Sequence, residues 1–201
     1  MTDVATIRQA LARFTPTRHA DPTSVRWAAV AAVVRDVADG AELLFIHRAE
    51  DERDPWSGHM AFPGGKVDAD DEGRKAAAMR ETLEEVGLDL GRDGDFLGRL
   101  SDVAAVGRGR PLNLAIAPFV FAVTGAPHLE PNHEVADAVW VPFAYLADRT
   151  NRSSLRWGHG GGILLPCYRW HDKVIWGLTF GMVDELLEVI RASRGPARQS
   201  R

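Results

Sequence analysis

The sequence predicts an α+β fold or a layered mixed sheet, and three observations carry that expectation. Strand-like and helix-like segments are interspersed without strict βαβ alternation, which argues against a doubly wound parallel sheet. Two β-rich runs flank Asp39-Gly40, a hairpin signal. A strongly helical stretch from about Glu72 to Val86 then interrupts the strands, with Gly87 where a C-terminal cap belongs.

Taken in order, Val4, Ile7, Leu11 and Phe14 recur at helical spacing behind the candidate caps Thr2 and Asp3, so the chain opens with a short amphipathic helix. Arg26 to Val37 and Glu42 to His47 read as the two strands of the hairpin. Residues 49–58 are polar and hold Pro55 and Gly58, which predicts a loop. His59 to Phe62 follow as a short strand, and Pro63-Gly64-Gly65 as a turn. After the helix, strands are expected at Phe96–Val103, Leu112–Val123 and Val135–Val141, with a short helix behind Pro142. Residues 149–162 are rich in Asn, Arg, Ser and Gly and read as a loop. Ile163–Trp170 and Val174–Trp176 form a last hairpin, and Thr179–Ala192 an amphipathic closing helix. Residues 1–194 read as one domain and 195–201 as a flexible tail.

With 45% hydrophobic and 26% charged side chains over 201 residues, the composition is that of a soluble globular protein. A net charge of −4 gives no global basic field for nucleic acid, so a polyanionic substrate must meet locally clustered cations. The single cysteine, Cys167, forms no internal disulfide and belongs to no zinc spacing, which points to a reducing, cytoplasmic compartment. The first residues lack a signal-peptide pattern, and no apolar run approaches the roughly 20 residues that span a bilayer.

The chemistry is concentrated in residues 62–88, FPGGKVDADDEGRKAAAMRETLEEVGL. Glu81, Glu84 and Glu85 stand at i, i+3 and i+4, which puts three carboxylates on one helical face. They also occupy the last turns, where the helix dipole disfavours each anion by up to ~1 kcal/mol. Arg80 supplies one counter-charge, not three. A glutamate-rich helix face is most often plain solvated surface. Here the Pro-Gly-Gly turn upstream allows bare backbone to approach a ligand, and the combination suits a hard cation such as Mg²⁺ or Mn²⁺ carrying a phosphate.

At these residues the chain resembles the Nudix hydrolases, whose pattern is Gly-x5-Glu-x7-Arg-Glu-U-x-Glu-Glu-x-Gly-U with U aliphatic. Gly65, Glu72, Arg80, Glu81, Glu84, Glu85, Gly87 and Leu88 match it. Six residues rather than five separate Gly65 from Glu72, and Thr82 replaces the first aliphatic. The resemblance implies an α/β/α sandwich around a mixed sheet, with one or more cations held by Glu81, Glu84 and Glu85. It also implies water attack on a diphosphate, with Arg80 orienting a glutamate. Glu134 is the first candidate for the general base and Glu81 the second.

Residues 44–68, LFIHRAEDERDPWSGHMAFPGGKVD, resemble the extended signature of the coenzyme A pyrophosphatase subfamily, as does VIWGLTFGMV at 174–183. The resemblance makes coenzyme A the expected small-molecule substrate, without nucleic-acid or membrane partners, and allows a homodimer, since dimers occur in the wider family. Arg48, Arg53, Gly64, Gly65 and Lys66 are the expected substrate contacts, with Arg108 and Arg110 as further cations for phosphate. Trp56, Phe119 and Trp176 are candidates for touching adenine or pantetheine, although aromatics in such strands are more often core. The alternatives are a Nudix enzyme for ADP-ribose or a dinucleotide polyphosphate, and a Nudix-like module that binds a nucleotide without cutting it. Retention of all three glutamates disfavours the last.

Overall fold

A computed structural model describes residues 2–19, 23–51, 56–107, 110–157 and 162–195. The elements run α1 (Val4–Ala12), β1 (Arg26–Val37), β2 (Gly40–Arg48), β3 (Met60–Ala61), β4 (Gly64–Lys66), α2 (Arg74–Val86), β5 (Gly94–Arg99) and β6 (Val103–Gly107). They continue with β7 (Arg110–Val123), β8 (Val135–Pro142), α3 (Phe143–Ala147), a 3₁₀ turn (Arg149–Asn151), β9 (Arg152–Trp157), β10 (Ile163–Trp170), β11 (Lys173–Trp176) and α4 (Gly177–Ser193). The mixed α/β class expected from the sequence is what the chain adopts: β1 and β7 pair in parallel, and every other pairing in the sheet is antiparallel.

The sheet separates two apolar layers because β1 alternates. Ala29, Ala31 and Val33 face α2, where they meet Ala77, Ala78 and Val86. Ala32 and Val34 face the other way, into a core with Ile7 and Leu11 of α1 and Leu186, Leu187 and Ile190 of α4. Small side chains on both partners let α2 sit close to the strands, which matters for the site below.

One local feature sets the position of the Pro63-Gly64-Gly65 turn. β1 and β2 pair only near their hairpin, Val34–Val37 with Gly40–Leu43, and then diverge. The segment from Met60 to Lys66 fills the fork: Met60 and Ala61 pair with β2, and Gly64 to Lys66 pair with Ala28 to Val30 of β1. Gly64 and Gly65, expected as part of a turn only, therefore enter the sheet.

Two further expectations are corrected, and a third falls outside the described residues. The strand expected over Phe96–Val103 is two strands, because Ser101 and Asp102 bond to the segment after α1 instead of continuing the ladder. Ser101 Oγ accepts from the Thr17 amide at 2.9 Å, Asp102 accepts from the His19 amide at 2.8 Å, and the Asp102 amide donates to Thr17 at 2.9 Å. The loop expected over 149–162 contains β9, which pairs with β10 from Arg152 to Trp157, so the last hairpin is a three-stranded sheet. The tail expected at 195–201 lies outside the described residues from 196 onward. Among the described residues no helix is long and apolar enough to cross a membrane.

Candidate active site

Helix α2 is charged against its own dipole at both ends. Arg74 and Lys75 stand in its first turn, Glu84 and Glu85 in its last, and Gly73 offers no side-chain cap. Its stability comes from the face that packs on the sheet, Ala77, Ala78, Thr82 and Val86, and not from its termini. Thr82, the departure from the aliphatic pattern, is fully buried and satisfies its hydroxyl on the Ala78 carbonyl at 2.7 Å.

That packing decides what each carboxylate meets. Glu85 points inward and is buried, with Oε2 accepting from the Gly64 amide at 2.8 Å and Oε1 lying 3.6 Å from Nη1 of Arg48. Burial raises its pKa from 4.5 to about 7, opposed by the Gly64 hydrogen bond and by Arg48, and reinforced by Glu81 and Glu134. Glu81 is also pushed above the ordinary carboxylate range, first by burial, with Arg80 opposing and Glu84 and Glu134 adding repulsion. Glu84 is 55% exposed at the rim.

Two glycines make room for this arrangement. A Cβ on Gly65 would stand 2.4 Å from the Glu81 carboxylate. A Cβ on Gly64, whose φ is +149°, would meet the Ala29 carbonyl oxygen at 2.3 Å. The turn can approach α2 only as bare backbone.

Arg80 is the most heavily bonded side chain here. Its Nε and Nη2 donate to the two Asp71 oxygens, both at 3.0 Å, and Nη2 also reaches the Lys66 carbonyl at 3.0 Å. Nη1 donates to Glu81 at 3.1 Å and to Glu84 at 3.4 Å. The sequence pattern assigned the acidic position to Glu72, but Glu72 is exposed and Asp71 holds the guanidinium. The extra loop residue explains the exchange: with five residues intervening after Gly65 the acidic position falls on Asp71, and that spacing was the available signal.

Glu134 arrives from the opposite side on the loop before β8. The loop is fastened to the end of α2, since the amides of Glu130 and Asn132 donate to the Val86 and Glu85 carbonyls at 2.8 and 2.9 Å. Asn132 Oδ1 then accepts from the Glu134 amide at 2.8 Å, and the Glu134 carbonyl accepts from Ala49 at 2.8 Å. Asn132 is a second positioning residue the sequence did not reveal.

The structure thus brings Arg48, Gly64, Gly65, the Lys66 backbone, Arg80, Glu81, Glu84, Glu85 and Glu134 into one neighbourhood. Arg53 and Arg108 lie outside the described residues, and Arg110 is exposed at the start of β7. Phe119 is corrected to a core residue, buried beside Phe96 and Phe121 under α2. Trp176 packs on His59 with ring centroids 4.6 Å apart, and the His59 carbonyl accepts from the Arg48 amide at 3.1 Å, so Trp176 borders the site. Trp56 donates its indole N–H to Val106 at 3.2 Å.

Four carboxylates facing two guanidiniums, one of them shared with Asp71, leave an excess of negative charge lined with hard oxygen donors. That chemistry fits Mg²⁺ or Mn²⁺. The side chains do not yet converge: among the described residues no three acidic, His or Cys groups are close enough to hold one ion. Arg80 draws Glu81 and Glu84 to itself, while the Gly64 amide and Arg48 engage Glu85.

Residues 25–158 match the NUDIX domain family, so the chain belongs to the Nudix hydrolases and is a pyrophosphohydrolase. It is 29% identical over 188 residues to the human mitochondrial coenzyme A diphosphatase NUDT8, an alignment covering 91% of this chain and 76% of that protein. An uncharacterized protein of Schizosaccharomyces pombe is 40% identical over 107 residues, which is 52% of this chain and only 32% of that one. The fold is shared with the crystal structure of a MutT protein from Methanosarcina mazei, at 17% identity and a TM-score of 0.50, covering 91% and 99% of the two chains.

Proposed function

We propose that the protein hydrolyses the diphosphate bond of coenzyme A or its derivatives, giving 3′,5′-ADP and 4′-phosphopantetheine. The observation that carries the chemistry is the buried Glu85 carboxylate, tied to the Gly64 amide and close enough to Glu81 and Glu134 to be repelled by both. The similarity to a coenzyme A diphosphatase over most of the chain supports the substrate.

In this reading Glu81, Glu84 and Glu85 hold Mg²⁺ or Mn²⁺, which, when bound, neutralises phosphate oxygens and lowers the pKa of water. Glu134, with Glu81 as second candidate, takes the proton of the attacking water. The new bond forms from the water oxygen to one phosphorus, and the bond from that phosphorus to the bridging oxygen breaks. The leaving phosphate carries away the electron pair. Arg80, clamped by Asp71, fixes the directions of Glu81 and Glu84. Gly64 and Gly65 let the turn approach the phosphates, with Arg48, Arg53 and Lys66 as cationic contacts. A reducing compartment such as the cytosol belongs to the same reading and rests on the lone, buried Cys167.

The test is a product assay by mass spectrometry with Mg²⁺ and then Mn²⁺, over coenzyme A, acetyl-coenzyme A, dephospho-coenzyme A, ADP-ribose, NADH and diadenosine polyphosphates. Release of 3′,5′-ADP, with coenzyme A preferred to its dephospho form, is the expected result. Preference for ADP-ribose or a dinucleotide sinks the coenzyme A assignment and leaves the hydrolase.

A further inference from the structure

Three polar groups of Asn132 meet three different residues of the site. Its amide donates to the Glu85 carbonyl at 2.9 Å, its Oδ1 accepts from the Glu134 amide at 2.8 Å, and its carbonyl accepts from the Val135 amide at 3.2 Å. Asparagine suits this place because its short side chain can close a turn on the amide two residues ahead. Residues 132–135 thus form a turn closed twice from one residue, with Glu134 at its third position. The exit of the turn is anchored as well. Val135 is buried in the layer under α2, and the Glu134 carbonyl accepts from the Ala49 amide at 2.8 Å. The Glu134 side chain itself is 56% exposed, and its ion-pair partner among the described residues, His133, stands 3.9 Å away. Its direction is therefore set chiefly by the backbone it leaves, and it lies close enough to repel Glu81 and Glu85.

We propose that the Asn132 side chain acts in turnover through Glu134: it holds the Glu134 peptide at a fixed offset from the Glu85 carbonyl, so that the proton acceptor is aimed from the same helix end that carries the cation ligands. This deepens the hydrolase reading above and rests on it. A base works only within roughly 2.6–3.2 Å of the proton's heavy atom or through one water, and a misplacement of about 1 Å can cost 10²-fold. Of the three links made by Asn132, Oδ1 is the one a substitution removes without touching the backbone bonds. Its loss frees the Glu134 peptide while the fastening to Glu85 stays. The link also separates the two candidates for the base. Glu81 is held by Arg80 at 3.1 Å from its own helix, so a reaction that used Glu81 as the base would not depend on the Asn132 side chain.

The experiment is a double-mutant cycle between Asn132 and Glu134, read by steady-state hydrolysis of coenzyme A with Mg²⁺, or of whichever diphosphate of the panel is cleaved if coenzyme A is not. Asn132→Ala is expected to lower kcat about 10- to 30-fold and to leave KM within about twofold. Asn132→Asp keeps an acceptor oxygen at the same place and should recover kcat to within about threefold of wild type. Glu134→Gln should lower kcat about 10²-fold, and adding Asn132→Ala to it should cost less than about twofold more. A loss of similar size in both backgrounds overturns the proposal, because a merely structural residue behaves that way. So does unchanged turnover in Asn132→Ala or Glu134→Gln, or a loss in Asn132→Asp equal to that in Asn132→Ala. Each of these leaves the hydrolase standing, since the wild type cleaves; a wild type that cleaves nothing overturns both readings. Should Asn132→Ala fail to fold, Asn132→Ser takes its place in the cycle under the same criterion.

Discussion

Asp71 and Glu85 have side chains only 6% and 3% exposed, but Asp71 lies near the surface under the Arg80 guanidinium whereas Glu85 lies deep beside the Gly64 amide. Their titration moves in opposite directions. Asp71 receives a two-pronged guanidinium and sits below its ordinary value, the Arg80 hydrogen bonds being the largest cause. Glu85 receives one backbone amide and has a guanidinium 3.6 Å away, and burial pushes it up to about 7. The difference teaches that depth and partner geometry together set a carboxylate's charge. Asp71 is finished as a structural ion, whereas Glu85 is left short of positive charge, which suits the cation-ligand role proposed for it.

The largest effect that can break this contrast is at Glu85. Glu85→Gln keeps an oxygen for the Gly64 amide but removes the charge, and turnover should fall by roughly 10³-fold, about 4 kcal/mol of transition-state stabilisation. Steady-state rates on a folded variant check it, and near wild-type activity would sink the cation role. Gly65→Ala comes next. Its methyl group must push the Glu81 carboxylate aside, so activity should drop about 10²-fold, while the flexible side chain yields and the melting temperature changes little.

Asp71→Asn sharpens the other half of the comparison. Losing the clamp on Arg80 should cost about 1–3 kcal/mol in denaturant unfolding, whereas Glu72→Gln should stay within about 0.5 kcal/mol. A larger loss at Glu72 would restore the sequence assignment. A separate effect is in pH. Glu85 has a folded pKa above its ordinary 4.5, so its contribution to stability is full below 4.5 and is lost as pH rises through about 7. In chelator, Glu85→Gln should therefore match wild type near pH 4.5 and exceed it by about 3 kcal/mol at pH 8. Asp71 has the reverse sign, since its contribution is present above its ordinary 3.8 and lost as pH falls through its lowered value. A pH-independent difference between wild type and Glu85→Gln would contradict the assignment.

Local periodicity explains what the sequence disclosed. The spacing of Glu81, Glu84 and Glu85 and the glycines at 64, 65 and 87 are short-range signals, and the helix and its turn follow from them. Pairing between distant segments is not local, so the polar run Arg152–Trp157 read as loop until β10 supplied its ladder. Loop path is not local either: Asp71 and Glu72 are neighbours, and only the course of the chain from Gly65 decides which one meets Arg80. Phe119 illustrates a third limit, because a strand aromatic facing a helix and one facing a cleft look alike in sequence.

The fastening of residues 130–134 to the end of α2 carries a consequence for how such a protein tolerates change. The last carbonyls of the catalytic helix are terminated by amides from a loop more than 40 residues further along the chain. Insertions or deletions between Glu130 and Glu134 would both unfasten that terminus and displace the carboxylate that follows it. Length variation is therefore expected to collect before Glu130, around the exposed turn at Gly125, where neither end of the machinery is anchored.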